Sequence, residues 1–154
     1  MIETTLCFLL AGERILLGMK KRGLGVGKWN GFGGKVERGE DVVQTAVREL
    51  HEEAGITVVA ADLTQVAWLT FHMPTWTMLV HVFVARQWQG EPRESEEMEP
   101  RWFDVAAIPY AQMWADDAYW LPWLLREQPV RAWFRYAEDS ETLAAWDVEE
   151  VGQD

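Results

Sequence analysis

The stretch Gly34-Lys35-Val36-Glu37-Arg38-Gly39-Glu40-Asp41-Val42-Val43-Gln44-Thr45-Ala46-Val47-Arg48-Glu49-Leu50-His51-Glu52-Glu53-Ala54-Gly55-Ile56 decides how the rest of the chain is read. Its second half predicts a helix over 41–54. Asp41 is placed as the N-cap, Gln44 stands at the third helical position of a capping box, and Gly55 is placed to end the helix. At about 100° per residue, Glu53 lies about 40° to one side of Glu49 and Glu52 about 60° to the other, so the three share one arc. Val43, Ala46, Val47, Leu50 and Ala54 fall on a single apolar stripe that must face the core. Carboxylates three and four apart repel by roughly 0.2–0.5 kcal/mol per pair, so their clustering calls for a cation. Mg²⁺ suits such hard oxygen ligands, with Mn²⁺ as its substitute, and joins carboxylates to phosphate groups. Arg48, next to this arc, is positioned to pair with the carboxylates and hold them. Taken without its surroundings, the Glu52-Glu53 pair reads equally as a solvated helix face.

The rest of the chain sets bounds on that chemistry. Its 154 residues suit one compact domain, expected over 1–154. Fourteen basic residues against 25 acidic ones give a net charge of -11, which repels a nucleic-acid polymer and leaves a small anion held by metal and local cations. Five of the basic residues, Lys20, Lys21, Arg22, Lys28 and Lys35, cluster, either as a solvated loop or as that local positive charge. The single cysteine, Cys7, lies in an apolar run that reads as a buried strand in a reducing compartment, with no catalytic part. That run, Leu6 to Ala11, is too short to span a membrane, and Glu3 stands where a signal peptide would carry positive charge. A cytoplasmic monomer is expected. Ten tryptophans are unusually many, and they serve either a core or a base-binding wall.

Strands are expected at Thr4–Leu10 and Arg14–Met19 around the Ala11-Gly12-Glu13 turn, then at Leu63–Phe71, Thr77–Arg86, Arg101–Asp104, Arg131–Tyr136 and Thr142–Val148. A second helix is expected over Asp116–Arg126. Gly23, Gly25, Gly27, Gly31, Gly33 and Gly34 make a loop that a ligand can approach closely, but their spacing fits neither an ATPase phosphate loop nor a dinucleotide fingerprint. His81 reads as core or pocket wall. His51 and His72 lack partners at metal spacing, and neither Ser95 nor Ser140 sits in a nucleophile elbow.

Gly34, Glu40, Arg48-Glu49-Leu50, Glu52-Glu53 and Gly55-Ile56 match every fixed position of the Nudix box. The chain resembles the Nudix family, and more closely its MutT-like branch that sanitises oxidised purine nucleoside triphosphates. Leu16 to Arg22, Trp29 to Val36, Glu94 to Met98 and Met113 to Asp117 look like that branch in the same order. The resemblance implies an α/β Nudix fold, a mixed β-sheet sandwiched between α-helices. It implies hydrolysis of 8-oxo-dGTP or 2-oxo-dATP to a nucleoside monophosphate and pyrophosphate. By similarity, Glu49, Glu52, Glu53 and Glu97 with the Gly33 carbonyl would bind Mg²⁺, Glu53 being the essential residue and Arg48 its support. Asn30 would meet the purine edge, Asp116 and Asp117 its other polar atoms, and Trp114 would stack on the ring. Thr5, Lys20, Phe32, Gly33, Gly34 and Lys35 would line the rest of the pocket. Asp116 and Asp117 also read as caps of a helix N-terminus. Leu24 departs from the branch, which has an aromatic residue there; Trp68, Phe71 or Trp76 would supply the missing face. Two other readings stay open: a Nudix pyrophosphohydrolase of another nucleotide or nucleotide-sugar, and a non-catalytic nucleotide-binding module.

Overall fold

The computed structural model describes residues 1–152, so the last two positions of the expected 1–154 domain lie outside the described residues. In chain order the elements are β1 (Ile2–Ala11), β2 (Arg14–Lys20), β3 (Trp29–Asn30), α1 (Val42–Ala54), β4 (Leu63–His72), β5 (Thr77–Ala85), β6 (Met98–Asp104), α2 (Asp117–Leu125), β7 (Val130–Tyr136) and β8 (Leu143–Glu150). The strands join in the order β3-β2-β1-β5-β4-β7-β8, with β6 along the other edge of β2. β1 runs parallel to β5 and β4 to β7, while the remaining pairs are antiparallel, so the sheet is mixed.

Period-two alternation explains how one sheet builds two cores. Phe8 and Leu10 of β1 pack on the face covered by Trp120, Leu121 and Leu124 of α2. Cys7 and Leu9 pack on the opposite face, against Ala46, Leu50 and Ala54 of α1. A strand covered on both faces reads as a continuous apolar run, which is why Leu6–Ala11 is a strand. β7 shows the half-covered pattern instead: Val130, Ala132, Phe134 and Tyr136 are buried, while Arg131, Trp133 and Arg135 face outward.

Helix α1 carries both halves of its capping box. The Gln44 N–H donates to Asp41 Oδ1 and the Asp41 N–H to Gln44 Oε1, each at 2.8 Å, and Gly55 ends the helix at a φ of 71°. Asp116 makes no side-chain cap to α2, which removes the capping reading for it.

The feature that positions the site is a fork. β1 pairs with β2 only from Leu9 to Ala11. Beyond that, β3 takes over the edge of β2 at Gly18 and Met19. The free half of β1 is stitched to residues 32–36: the Phe32 and Cys7 backbones exchange hydrogen bonds, Thr5 N–H reaches Gly34 O at 2.9 Å, and Val36 N–H reaches Glu3 O at 3.0 Å. The glycine-rich stretch therefore ends as a pinned, strand-like segment rather than a free loop. Close approach is what demands glycine at 33, since a Cβ there would stand 1.8 Å from the Thr5 carbonyl oxygen. No described helix is long and apolar enough to cross a membrane.

Candidate active site

The carboxylates of α1 are ordered by one guanidinium. Arg48 donates from Nε to Glu40 Oε2 and from Nη1 to Glu49 Oε1, both at 2.7 Å, and reaches Glu52 Oε2 at 3.3 Å. Its hydrogen bond holds Glu40 down to a pKa of about 2, and these acidic partners raise Arg48 itself. Glu53 lies on the opposite side of the helix face from this network. It is 5% exposed, and its Oε1 accepts the Gly33 N–H at 2.9 Å. Burial, then the neighbouring Glu49 charge, pushes it up to about 8. Glu49 is raised mainly by burial. Gly34 passes so close that a Cβ would stand 2.7 Å from the Glu49 carboxyl.

Glu97, just ahead of β6, receives Lys20 Nζ at 3.2 Å and Arg22 Nε at 2.7 Å, and the Arg22 hydrogen bond holds its carboxyl low. Among the described residues, no three acidic, thiol or imidazole groups converge as they stand into a metal-holding cluster. The reason is visible: Arg48 takes Glu40, Glu49 and Glu52, while Lys20 and Arg22 take Glu97. The donor set still fits a hard cation. All its side chains are carboxylates, and Glu53 stands within the electrostatic reach of both Glu49 and Glu97. Residues held high by mutual repulsion and burial are those from which a divalent ion displaces protons.

Glu53, Gly33 and Gly34 form one end of a cavity of about 200 Å³ on the α2 side of the sheet. Thr5, Lys20 and Asn30 line it, as do Trp114, Asp116 and Asp117. Trp114 is braced by the edge of Tyr136, with centroids 5.8 Å apart, and by Lys28 Nζ, 5.3 Å from its ring. Asn30 accepts the Gly31 N–H on its Oδ1 at 2.8 Å. Asp116 and Asp117 are 3% and 2% exposed. Asp116 accepts the Trp120 indole N–H at 2.8 Å and the Tyr136 hydroxyl at 2.5 Å, whereas Asp117 Oδ2 is buried without a partner. Burial raises both carboxyls, and the Asp116 charge lifts Asp117 further.

The family model described as NUDIX domain matches residues 2–124. The chain belongs to the Nudix hydrolase family. It is 48% identical over 132 residues to the oxidized purine nucleoside triphosphate hydrolase of Danio rerio, covering 86% of this chain and 85% of that one. To the Mus musculus protein of the same name it is 44% identical over 149 residues, covering 96% and 94%. The crystal structure of a mutator MutT protein from Bacillus halodurans superposes with a TM-score of 0.86 over 97% of this chain and 98% of that one; at 24% identity this likeness shows the fold alone. Nudix hydrolases in general need a divalent metal ion.

Within this Nudix fold, six of the expected residues stand outside the cavity lining: Phe32, Lys35, Glu52, Glu97, and Arg48 with Glu49, which are held together on α1. Phe32 is fully buried in the α1-side core, because its bridge to Cys7 turns the ring away. Lys35 bridges to Thr4 and does not line the cavity. Glu52 is drawn outward by Arg48, with its side chain 56% exposed, and Glu97 is drawn to its two cations. His81 belongs to neither core nor cavity: it is linked to Gln65 and Glu3 on the α1 side of the sheet. Leu24 is 60% exposed at the cavity rim, and Phe71 and Trp76 supply aromatic surface; Trp68 lies under Arg131 instead. Sequence reasoning missed several residues of the cavity wall, Tyr136, Trp120 and Met98 among them. The alternation of β7 is the signal that aims Tyr136 at the start of α2.

Proposed function

We propose that this Nudix hydrolase, acting as one domain over 1–154, hydrolyses oxidised purine nucleoside triphosphates such as 8-oxo-dGTP and 2-oxo-dATP. The products are a nucleoside monophosphate and pyrophosphate, cleaved between the α and β phosphates. One observation carries the base preference: a buried aspartate pair with an unpartnered oxygen stands in the same cavity as the buried carboxyl of Glu53. Two adjacent buried carboxyls share charge poorly, so one keeps a proton and the pair both donates and accepts hydrogen bonds, as a purine edge requires. The Danio rerio and Mus musculus relatives, named for that substrate class, support the reading.

Mg²⁺, held by Glu49, Glu52, Glu53, Glu97 and the Gly33 carbonyl, would neutralise the phosphates and activate water. The chain's own groups do the rest. Arg48 holds Glu49 in place and anchors the exposed Glu52 beside it. Glu53 holds a proton in the resting site and gives it up as the site charges. Lys20 offers an ammonium to the phosphates once Glu97 leaves it. Trp114 stacks on the base, and Asn30 donates to its edge. The free, fully buried thiol of Cys7 suits a cytoplasmic site of action.

A second reading, hydrolysis of another nucleotide, is favoured by Leu24, which presents an aliphatic side chain at the rim. A panel of purine triphosphates with pyrophosphate detection separates the two. The proposal expects at least one oxidised purine to exceed its normal parent by tenfold in kcat/KM, and it expects Glu53→Gln to stay folded without Mg²⁺-dependent turnover. Equal rates across the panel, or an active Glu53→Gln, overturn it.

A further inference from the structure

Among the described residues, the hydroxyl of Tyr136 hydrogen-bonds to one, Asp116. It accepts the Asp116 backbone N–H at 3.1 Å and lies 2.5 Å from Asp116 Oδ1. With the main-chain N–H on one lone pair, the hydroxyl proton has Asp116 Oδ1 as its acceptor. The other oxygen, Asp116 Oδ2, accepts the Trp120 indole, a group that only donates. Both oxygens of Asp116 thus face donors, which is the arrangement of an ionised carboxylate. Asp117 beside it has an oxygen with no partner, and among the described residues no cation pairs with either aspartate. The titratable groups facing the pair are Tyr136 from β7 and Tyr110 from the turn before α2, neither of which brings positive charge. Two negative charges side by side in this closed place repel strongly, so the one available proton belongs on Asp117.

We propose that Tyr136 is a positioning, specificity-determining residue: its hydroxyl, together with the Trp120 indole, fixes Asp116 as the acceptor and so makes Asp117 the donor of the pair. The inference rests on the base-reading role proposed above for these aspartates. Its consequence is selectivity between oxidised purines. 8-Oxoguanine carries its carbonyl at C6 and its amino group at C2, whereas 2-oxoadenine carries them the other way round. A pair whose proton moves freely meets both orders. A pair whose proton is pinned meets one.

The test is Tyr136→Phe, which deletes only the hydroxyl; the ring keeps its stack on Phe71, at 6.5 Å, and its edge contact with Trp114, at 5.8 Å. Values of kcat/KM for 8-oxo-dGTP and 2-oxo-dATP are measured from pH 5 to 9 on both proteins, with melting temperatures. The wild type should favour one substrate by about tenfold or more, and the variant should bring the ratio within about threefold, the change lying in KM while kcat holds. Asp116 loses a donor to its charged form, so the acid limb of the variant's profile should move up by about one pH unit. An unchanged ratio and acid limb in a folded variant overturn the role of Tyr136 and leave the proposed function standing. No turnover of either substrate by the wild type overturns both. Should the variant melt early, 3-fluorotyrosine at 136 gives a more acidic hydroxyl and a stronger donor, and the ratio must then rise; a fall or no change refutes the inference.

Discussion

Replacing Gly33 by alanine would put a methyl group 1.8 Å from the Thr5 carbonyl oxygen, where real Cβ contacts stay beyond 3.0 Å, so two backbones must part by about 1.2 Å. That movement loosens Thr5 N–H to Gly34 O, and it pulls Gly33 N–H from Glu53 Oε1, each 2.9 Å now. Counting about 1 kcal/mol net for each bond, since the Glu53 carboxyl holds a proton in the metal-free site, the loss is about 2 kcal/mol. For a chain of this length that lowers Tm by about 4–8 °C. Gly34→Ala differs although it is the adjacent residue. Its methyl would meet the Glu49 carboxyl at 2.7 Å, the far end of a side chain that can rotate away. The fold should lose less than about 1 kcal/mol, yet the displaced carboxylate should cut kcat/KM by about a hundredfold. Thermal melts and Mg²⁺-saturated kinetics on the two variants check both halves. A Gly33→Ala protein melting within about 2 °C of wild type, or a fully active Gly34→Ala, refutes the reasoning.

Arg48→Ala removes the shared partner of Glu40, Glu49 and Glu52, so NMR titration should find the Glu40 pKa rising from about 2 toward its ordinary 4.5. A Glu40 that stays low would mean Thr45 and the backbone suffice to hold it. Burial pushes the Cys7 thiol up to about 12, so thiol reagents at pH 8 should label the protein only at the rate of unfolding, and fast labelling would disprove the strand's burial. The folded pKa values of Glu53, Asp116 and Asp117 are all raised, so the metal-free native state holds more protons than the unfolded one between about pH 4 and pH 8. Stability should therefore fall as pH climbs through that window, and saturating Mg²⁺ should flatten the decline; a Tm that rises from pH 5 to 8 without metal contradicts the assignment.

What could be read in advance divides along a physical line. Helix α1 was legible to its caps because Asp41, Gln44 and Gly55 act through neighbours in sequence. The strands were legible where one or both faces are apolar. Strand β6 begins at Met98, three residues before the expected Arg101, because its pairing with β2 overrides the loop-like Glu99-Pro100. Strand β3 was hidden inside the glycine-rich stretch for the same reason. Of the site, the acidic arc of α1 and the pair at 116–117 showed as local clusters. The partners that set their protonation did not: Tyr136 lies 20 residues from Asp116, and Lys20 lies 77 from Glu97. Long-range contacts of that kind follow from topology, which no local pattern encodes.

The fork between β1 and β2 makes the pinned segment a ruler. Asn30 stands in β3 just ahead of it on the cavity wall, Gly33 and Gly34 stand against the acidic helix, and hydrogen bonds to Glu3, Thr5 and Cys7 fix residues 32–36. A nucleotide seated as proposed is measured along this gauge, so its purine and one chosen anhydride linkage arrive in register together. Compounds with a longer or shorter spacer would present the wrong linkage, whatever the quality of their base.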